Sequence, residues 1–286
     1  MKDMTRSRLV AATTLVLTLS LPGLSAAQSV TKYVRYEAGG RVAWGILEND
    51  TAIRELQGSV FDDAKPTGRT LKLAEVKLLP PAEPRKVVAA GFNYKSHIGE
   101  QSSAKYVGLF AKFPTSLVGH GADIVYPADA TTLHYEAEVC VVIGKRAQNI
   151  TEAQARDHIF GVAPCNDVSE RVWQKQDLQW FRAKGSDTFG PIGPVVAKGL
   201  DYNKLKLIGR HNGKVVQETT TDLLIFSIDT IISYTSRYVT LEPGDVVFTG
   251  TPGATSAMRP GDTFEVEIAG VGTLSNKVVA AKPATR

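Results

Sequence analysis

From His134 to Ile143 the chain reads His-Tyr-Glu-Ala-Glu-Val-Cys-Val-Val-Ile, a period-two alternation that fits an extended strand with two unlike faces. One face takes Ala137, Val139 and Val141; the other takes Glu136 and Glu138. Residues two apart on a strand lie roughly 6.5–7 Å from each other and point the same way. Two like charges at the edge of a core repel strongly in a low dielectric, and a shared cation is the simplest way to keep both ionised. A solvated Glu-x-Glu on an exposed strand is the plain alternative for this pair alone. A third acid weighs against it: the apolar run from Ile159 ends in Asn166-Asp167, which places a short carboxylate where a buried strand stops. Glu136, Glu138 and Asp167, with no His or Cys cluster beside them, are the expected metal ligands. Oxygen-only ligands suit Mg²⁺, Mn²⁺ or Ca²⁺ and not zinc.

The first 27 residues read as a secretory signal peptide: Lys2, Arg6 and Arg8, an interrupted apolar stretch from Leu9 to Leu24, then Ser25-Ala26-Ala27. Cleavage there leaves a chain beginning near Gln28, with no later apolar stretch long enough to span a bilayer. The expectation is a periplasmic or secreted protein with no membrane contact after cleavage; an uncleaved signal anchor is the rival. The formal charge of +4 is spread over scattered Lys and Arg without interleaved aromatics, so nucleic-acid binding is not indicated. A mildly basic site for a small anion fits better.

Residues 28–82 form a small N-terminal β subdomain and linker, with turns at Gly39-Gly40 and Asn49-Asp50 and a proline-stiffened end at Pro80-Pro81-Ala82-Glu83-Pro84. Residues 83–286 form the main, catalytic domain. Helices are few: a short one over Thr151–His158 with Thr151 as N-cap, and a longer amphipathic one over Ser227–Tyr238. The fold class is therefore mostly β, within α+β. Cys140 and Cys165 are each two positions from an acid. They are expected as buried free thiols near the metal, with a disulfide as the alternative, because sequence does not supply bridging geometry.

Five blocks in order resemble the fumarylacetoacetate hydrolase family: residues 87–97 (Val-Val-Ala-Ala-Gly-Phe-Asn-Tyr-Lys-Ser-His), Tyr135-Glu-Ala-Glu138, Asn166-Asp-Val-Ser-Glu-Arg171, the segment from Lys184 to Pro191, and the segment from Leu241 to Pro252. The resemblance covers roughly residues 85–280 and implies a mixed β-roll, a homodimer, and a divalent ion, usually Mg²⁺, on Glu136, Glu138 and Asp167. It also implies small anionic 2-oxo acid substrates that chelate the metal. In the family's hydrolases a His and a Glu on a lid activate water, which makes His97 the general base and Glu100 its orienting partner. Lys184 matches the active-site lysine. Phe92, Asn93, Tyr94, Arg171 and Gln174 match substrate-binding positions, and Thr251 offers a hydroxyl to a substrate carboxylate. A solvated helix start, an ordinary surface lysine and a plain turn are the bland readings of these residues taken singly.

The expected reaction is metal-dependent hydrolysis of the C–C bond of an acylpyruvate-type 2,4-dioxo acid. Decarboxylation or isomerisation of a 2-oxo or 2-hydroxy-diene dicarboxylate is the rival within the family, and a non-catalytic periplasmic binding protein the rival outside it. A leader is unusual among the family's intracellular catabolic enzymes. The segment from Gln101 to Tyr106, after the His97–Glu100 pair, does not reveal how a lid would close.

Overall fold

A computed structural model describes residues 29–100 and 104–282. The proposed signal peptide and the start of the Gln101–Tyr106 segment lie outside the described residues. The fold is mostly β with few helices, as expected. Its spine is a mixed eleven-stranded sheet running from the Lys65–Lys72 edge strand through Ala52–Gln57, Arg41–Glu48 and Thr31–Ala38 to Val196–Lys198, with Lys77–Leu79 also pairing on Thr31–Ala38. It continues through Ile159–Asn166, Ala137–Ile143, Val246–Phe248, Val87–Gly91 and Gly108–Lys112. Every pairing is antiparallel except that of Val246–Phe248 with Val87–Gly91. The N-terminal meander is thus hydrogen-bonded into the main sheet, through Thr31↔Lys198 and its neighbours. Its first hairpin closes over Gly39-Gly40, both at positive φ, as a two-residue turn matched to the twist of the strands requires.

A second, five-stranded sheet contains Lys214–Thr220, Lys206–His211, Thr263–Ile268, Gly272–Ala280 and Ile124–Tyr126. The space between the sheets holds the larger core. Ala137, Val139 and Val141 pack there with Leu207, Phe264 and Val266, and with Ile228, Ile231 and Ile232 of the Ile228–Tyr238 helix. That helix begins where its sequence predicts: Ser227 accepts a bond from the Thr230 N–H at 3.1 Å, and the isoleucines follow at helical spacing. The other face of the spine carries Cys140, Val142, Phe160, Cys165 and Phe248 against Trp44 and Leu56 of the meander. The Ala137–Ile143 strand is therefore buried on both faces, and its acids sit only at its N-terminal end.

The thiol expectation is corrected. Cys140 and Cys165 form a disulfide, with Cα atoms 5.8 Å apart. The cause is register: Glu138 pairs with Cys165 and Cys140 with Ala163, so the cysteines are diagonal neighbours on one face of an antiparallel pair. That register is a tertiary fact, invisible in either strand alone.

Candidate active site

All three predicted ligands converge. Glu136 and Glu138 stand where the Ala137–Ile143 strand begins, and Asp167 follows the end of its partner Ile159–Asn166. Antiparallel pairing brings that start and that end together, and two bonds fix the join: Asp167 N–H to Glu136 O at 2.9 Å, and Glu136 N–H to Asn166 Oδ1 at 2.8 Å. The three carboxylates are 4%, 2% and 1% exposed, and one oxygen from each lies within 4.8 Å of the others.

Three cations answer these acids. Lys184 Nζ reaches Glu136 Oε2 at 2.7 Å and Asp167 Oδ2 at 2.5 Å. Arg171 reaches Glu136 Oε1 at 2.5 Å, with its other contacts on Thr255 and Gln174. Lys112, whose side chain is wholly buried, binds Asp167 Oδ1 at 2.7 Å and the carbonyl of Lys184. Burial tends to raise the Glu136 pKa, but Lys184 and then Arg171 outweigh it and hold the group below the usual carboxylate range. Glu138 differs. Its side chain accepts one bond, from the Gly250 N–H at 2.8 Å. Burial first, then the neighbouring charges of Asp167 and Glu136, push its pKa well above the ordinary value.

A divalent cation fits this arrangement. Ligand oxygens at opposite sides of one Mg²⁺ or Ca²⁺ lie about 4–5 Å apart, close to the 4.8 Å spread seen here. The donor set is all carboxylate, as hard cations require. Glu138, the acid with no ammonium or guanidinium on it, is the one that gains most from an added positive charge.

The cleft beside the acids is small, about 20 Å³, room for a water-sized occupant. Phe92, His97, Gln174, Lys184 and Thr251 border it, as do Phe110 and Trp180. His97 is held by a 2.6 Å contact between Nδ1 and the Gly253 carbonyl; a carbonyl only accepts, so Nδ1 is the donor, and Nε2 is not engaged in this contact. The expected Glu100 contact is replaced by this one. The helix Lys95–Ile98 is a single turn that ends at Gly99, φ 62° and ψ −128°, so the chain has left the helical path before Glu100, which is exposed. Asn93 and Tyr94 are likewise not turned to the cleft. The Asn93 amide donates to the carbonyls of Phe226 and Thr249 and accepts from the Phe226 N–H, while the Tyr94 hydroxyl contacts the Thr220 carbonyl. Both side chains tie the base-bearing loop to its neighbours.

Residues beyond the sequence expectations complete the site. Lys112 closes an otherwise apolar strand, Gly-Leu-Phe-Ala-Lys, and such a terminal lysine is the one signal that could have marked it. Gln217, from the second sheet, accepts from the Ala137 N–H at 2.9 Å and donates to Thr251 Oγ1 at 2.9 Å and the Pro252 carbonyl at 2.6 Å. It thereby fastens the residue between the two glutamates to the loop whose Gly253 carbonyl holds His97.

Strand-end carboxylates, a buried lysine and a base in one cleft of a mixed β-roll define an enzyme family. The chain belongs to the fumarylacetoacetate hydrolase family: its C-terminal model matches residues 86–279, and an Rv2993c-like N-terminal model matches residues 31–81. The chain is similar to a 5-carboxymethyl-2-hydroxymuconate delta-isomerase from Mycobacterium smegmatis, with 37% identity and a TM-score of 0.83 over 87% of this chain and 100% of that one. It is 38% identical over 224 residues to the mitochondrial oxaloacetate tautomerase FAHD2A of Homo sapiens, covering 73% of this chain and 71% of that protein. A fumarylpyruvate hydrolase from Pseudomonas aeruginosa, solved in complex with Mn²⁺ and pyruvate, shares 29% identity and a TM-score of 0.66 over 72% of this chain and 92% of that one. Isomerase, tautomerase and hydrolase names thus occur on one scaffold, so the scaffold does not choose the bond.

Proposed function

We propose that this chain is a divalent-metal-dependent enzyme of 2-oxo acids that hydrolyses the C–C bond of an acylpyruvate-type 2,4-dioxo acid. The observation that carries the reading is the placing of a histidine, with Nδ1 fixed by a backbone carbonyl, at a small cleft that three buried carboxylates also border. A cation on Glu136, Glu138 and Asp167 would supply Lewis-acid polarisation of the 2-oxo group. His97 Nε2 takes the proton from a water that attacks the 4-carbonyl, and the Gly253 carbonyl steadies the ring as Nε2 becomes protonated. Lys184, already against Glu136 and Asp167, places a positive charge beside the oxygen on which negative charge develops as the C3–C4 bond breaks.

Keto–enol tautomerisation is the second reading, and one observation favours it: Glu100 is exposed and the His97 Nδ1 contact is to a backbone carbonyl. A single base suffices to move a proton at C3. The test is wild type and His97→Ala on acetylpyruvate and on oxaloacetate, with Mg²⁺ or Mn²⁺ supplied. Acetylpyruvate cleavage lost in the variant supports hydrolysis. Activity confined to interconverting oxaloacetate keto and enol forms moves the assignment to a tautomerase, and loss of CO₂ moves it to a decarboxylase.

We also propose that the chain is exported and cleaved near Ala27, on the strength of the leader from Lys2 to Ala27 and of a disulfide that suits an oxidising compartment. Intact mass of the protein from an exporting host decides; a full-length species in the cytoplasm refutes it.

A further inference from the structure

The buried acids and a cluster of aromatic rings border the same cleft, and the Lys184 ammonium touches both, lying 5.2 Å from the Phe110 ring centroid. The rings of Phe92 and Phe110 meet that of Trp180 edge to face, with centroids 5.8 and 5.1 Å away and both pairs inclined at 71°. Gly91 lies beneath, and a Cβ there would stand 3.4 Å from the Trp180 ring. Phe92 remains 48% exposed at the mouth. The backbone that presents these rings is unusual: Phe92, Gln179 and Trp180 have φ of 56°, 58° and 57°, a left-handed conformation that large L-residues rarely adopt. Such outliers persist where the surroundings impose them, and they gather at functional sites.

Charge narrows what this wall can face. Among the described residues bordering the cleft, Lys184 is committed to Glu136 and Asp167; Arg171, just behind Gln174, is committed to Glu136. Lys184 does meet the rings, over Phe110, but its charge is shared between two carboxylates, and His97, also at the cleft, is held by the Gly253 carbonyl. Gln174 supplies neutral polarity there.

We infer that Phe92, Phe110 and Trp180 are specificity-determining residues that read the non-reacting arm of the substrate, and that this arm is flat and uncharged, an aryl or conjugated group on C4 of a 2,4-dioxo acid. The inference rests on the 2-oxo acid reading above and adds the substrate class. A ring held at the open mouth, beside the exposed Phe92, packs against this aromatic cluster, where offset and edge-to-face contacts add to the gain from burying apolar area.

The experiment exploits the backbone. At φ 57° glycine is unstrained, so Trp180→Gly removes the ring while relieving the conformation. Binding of 2,4-dioxo-4-phenylbutanoate, acetylpyruvate and oxaloacetate is measured calorimetrically with Mg²⁺ in the His97→Ala background, and kcat/KM is measured in otherwise wild-type protein. The phenyl compound should bind about tenfold more tightly than acetylpyruvate, in line with aromatic contact energies, and Trp180→Gly should bring that ratio near one by weakening the phenyl compound more than acetylpyruvate. If Trp180→Gly does not fold, Phe92→Gly, at φ 56°, asks the same question. A ratio near one in the parent, a preference that survives loss of the rings, or tighter binding of oxaloacetate than of the phenyl compound overturns the inference. An aryl preference in binding without cleavage of any 2,4-dioxo acid leaves the wall intact and sinks the hydrolase reading. Cleavage of acetylpyruvate without aryl preference does the reverse.

Discussion

The two halves of the cleft are built differently. The acid half joins two neighbouring strands of a doubly covered sheet, with the acids 1–4% exposed and a disulfide linking the same two strands. The base half is a single helical turn, Lys95–Ile98, attached through Asn93, the Ser96 bond to Gly253 and the His97 contact to the same residue. The first half is pre-organised by packing and the second by a few hydrogen bonds. Pre-organisation matters most where charge must be held, because buried acids cannot rearrange cheaply. Proton transfer tolerates a base delivered on a smaller element.

Glu138→Gln should break the rigid half hardest. It removes a ligand charge with little change of shape, so activity should fall by orders of magnitude and Mn²⁺ affinity should drop in direct titration. Undiminished turnover by this variant in a chelator would remove the metal from the chemistry.

His97→Ala should cost roughly 10²–10⁴-fold in kcat, the range for a general base, with KM little altered because the substrate's attachment lies in the other half. A KM rise that matches the kcat loss would make His97 a binding residue.

Gln217→Leu tests the coupling between the halves. The Ala137 N–H loses its acceptor and Thr251 and Pro252 lose a donor, at a stability cost of about 1–3 kcal/mol. We expect kcat to fall about tenfold while Mn²⁺ affinity stays within a few-fold, because the carboxylates keep their own bonds. Equal loss of both would show the halves to be one unit.

The smallest expected effect concerns pH. His134, bonded to Thr255 at 2.9 Å, is held at about 4 by burial and then by the Arg171 charge. The unfolded chain therefore binds more protons than the folded one between the ordinary histidine value of 6.5 and about 4, and stability is lost as pH falls through that window. Half-exposed groups are screened, so the slope should be shallow. Melting curves of wild type and His134→Gln should converge near pH 7 and separate below 6.5, the variant losing less; parallel curves would refute the assignment.

Much of this contrast was legible in the chain. Alternation around Glu136 and Glu138 and the strand-ending Asp167 gave the cluster of acids, because the period of a strand fixes which side chains share a face. The Ile228–Tyr238 helix was legible from the helical spacing of its isoleucines. Proximity could be read for Phe92-Asn93-Tyr94, but direction could not: only Phe92 faces the cleft, while Asn93 turns to the carbonyls of Phe226 and Thr249. Glu100 failed for a related reason, since three-residue spacing implies a shared face only while the helix lasts, and it stops at Gly99. Gln217 left no trace, because its role depends on which sheet packs against which. The disulfide escaped because register between strands is set by the whole core.

Cys140 and Cys165 are both 0% exposed. Exchange needs a thiolate to reach sulfur in line, so oxidant or reductant added to the folded protein has no route to this pair. Its covalent state is then written during folding and kept afterwards. A molecule folded in a reducing cell and later moved to an oxidising medium would remain a dithiol, heavier by the two thiol hydrogens, while one folded after export would carry the bridge. Mass spectrometry under denaturing alkylation could read from a single purified sample where each molecule acquired its shape.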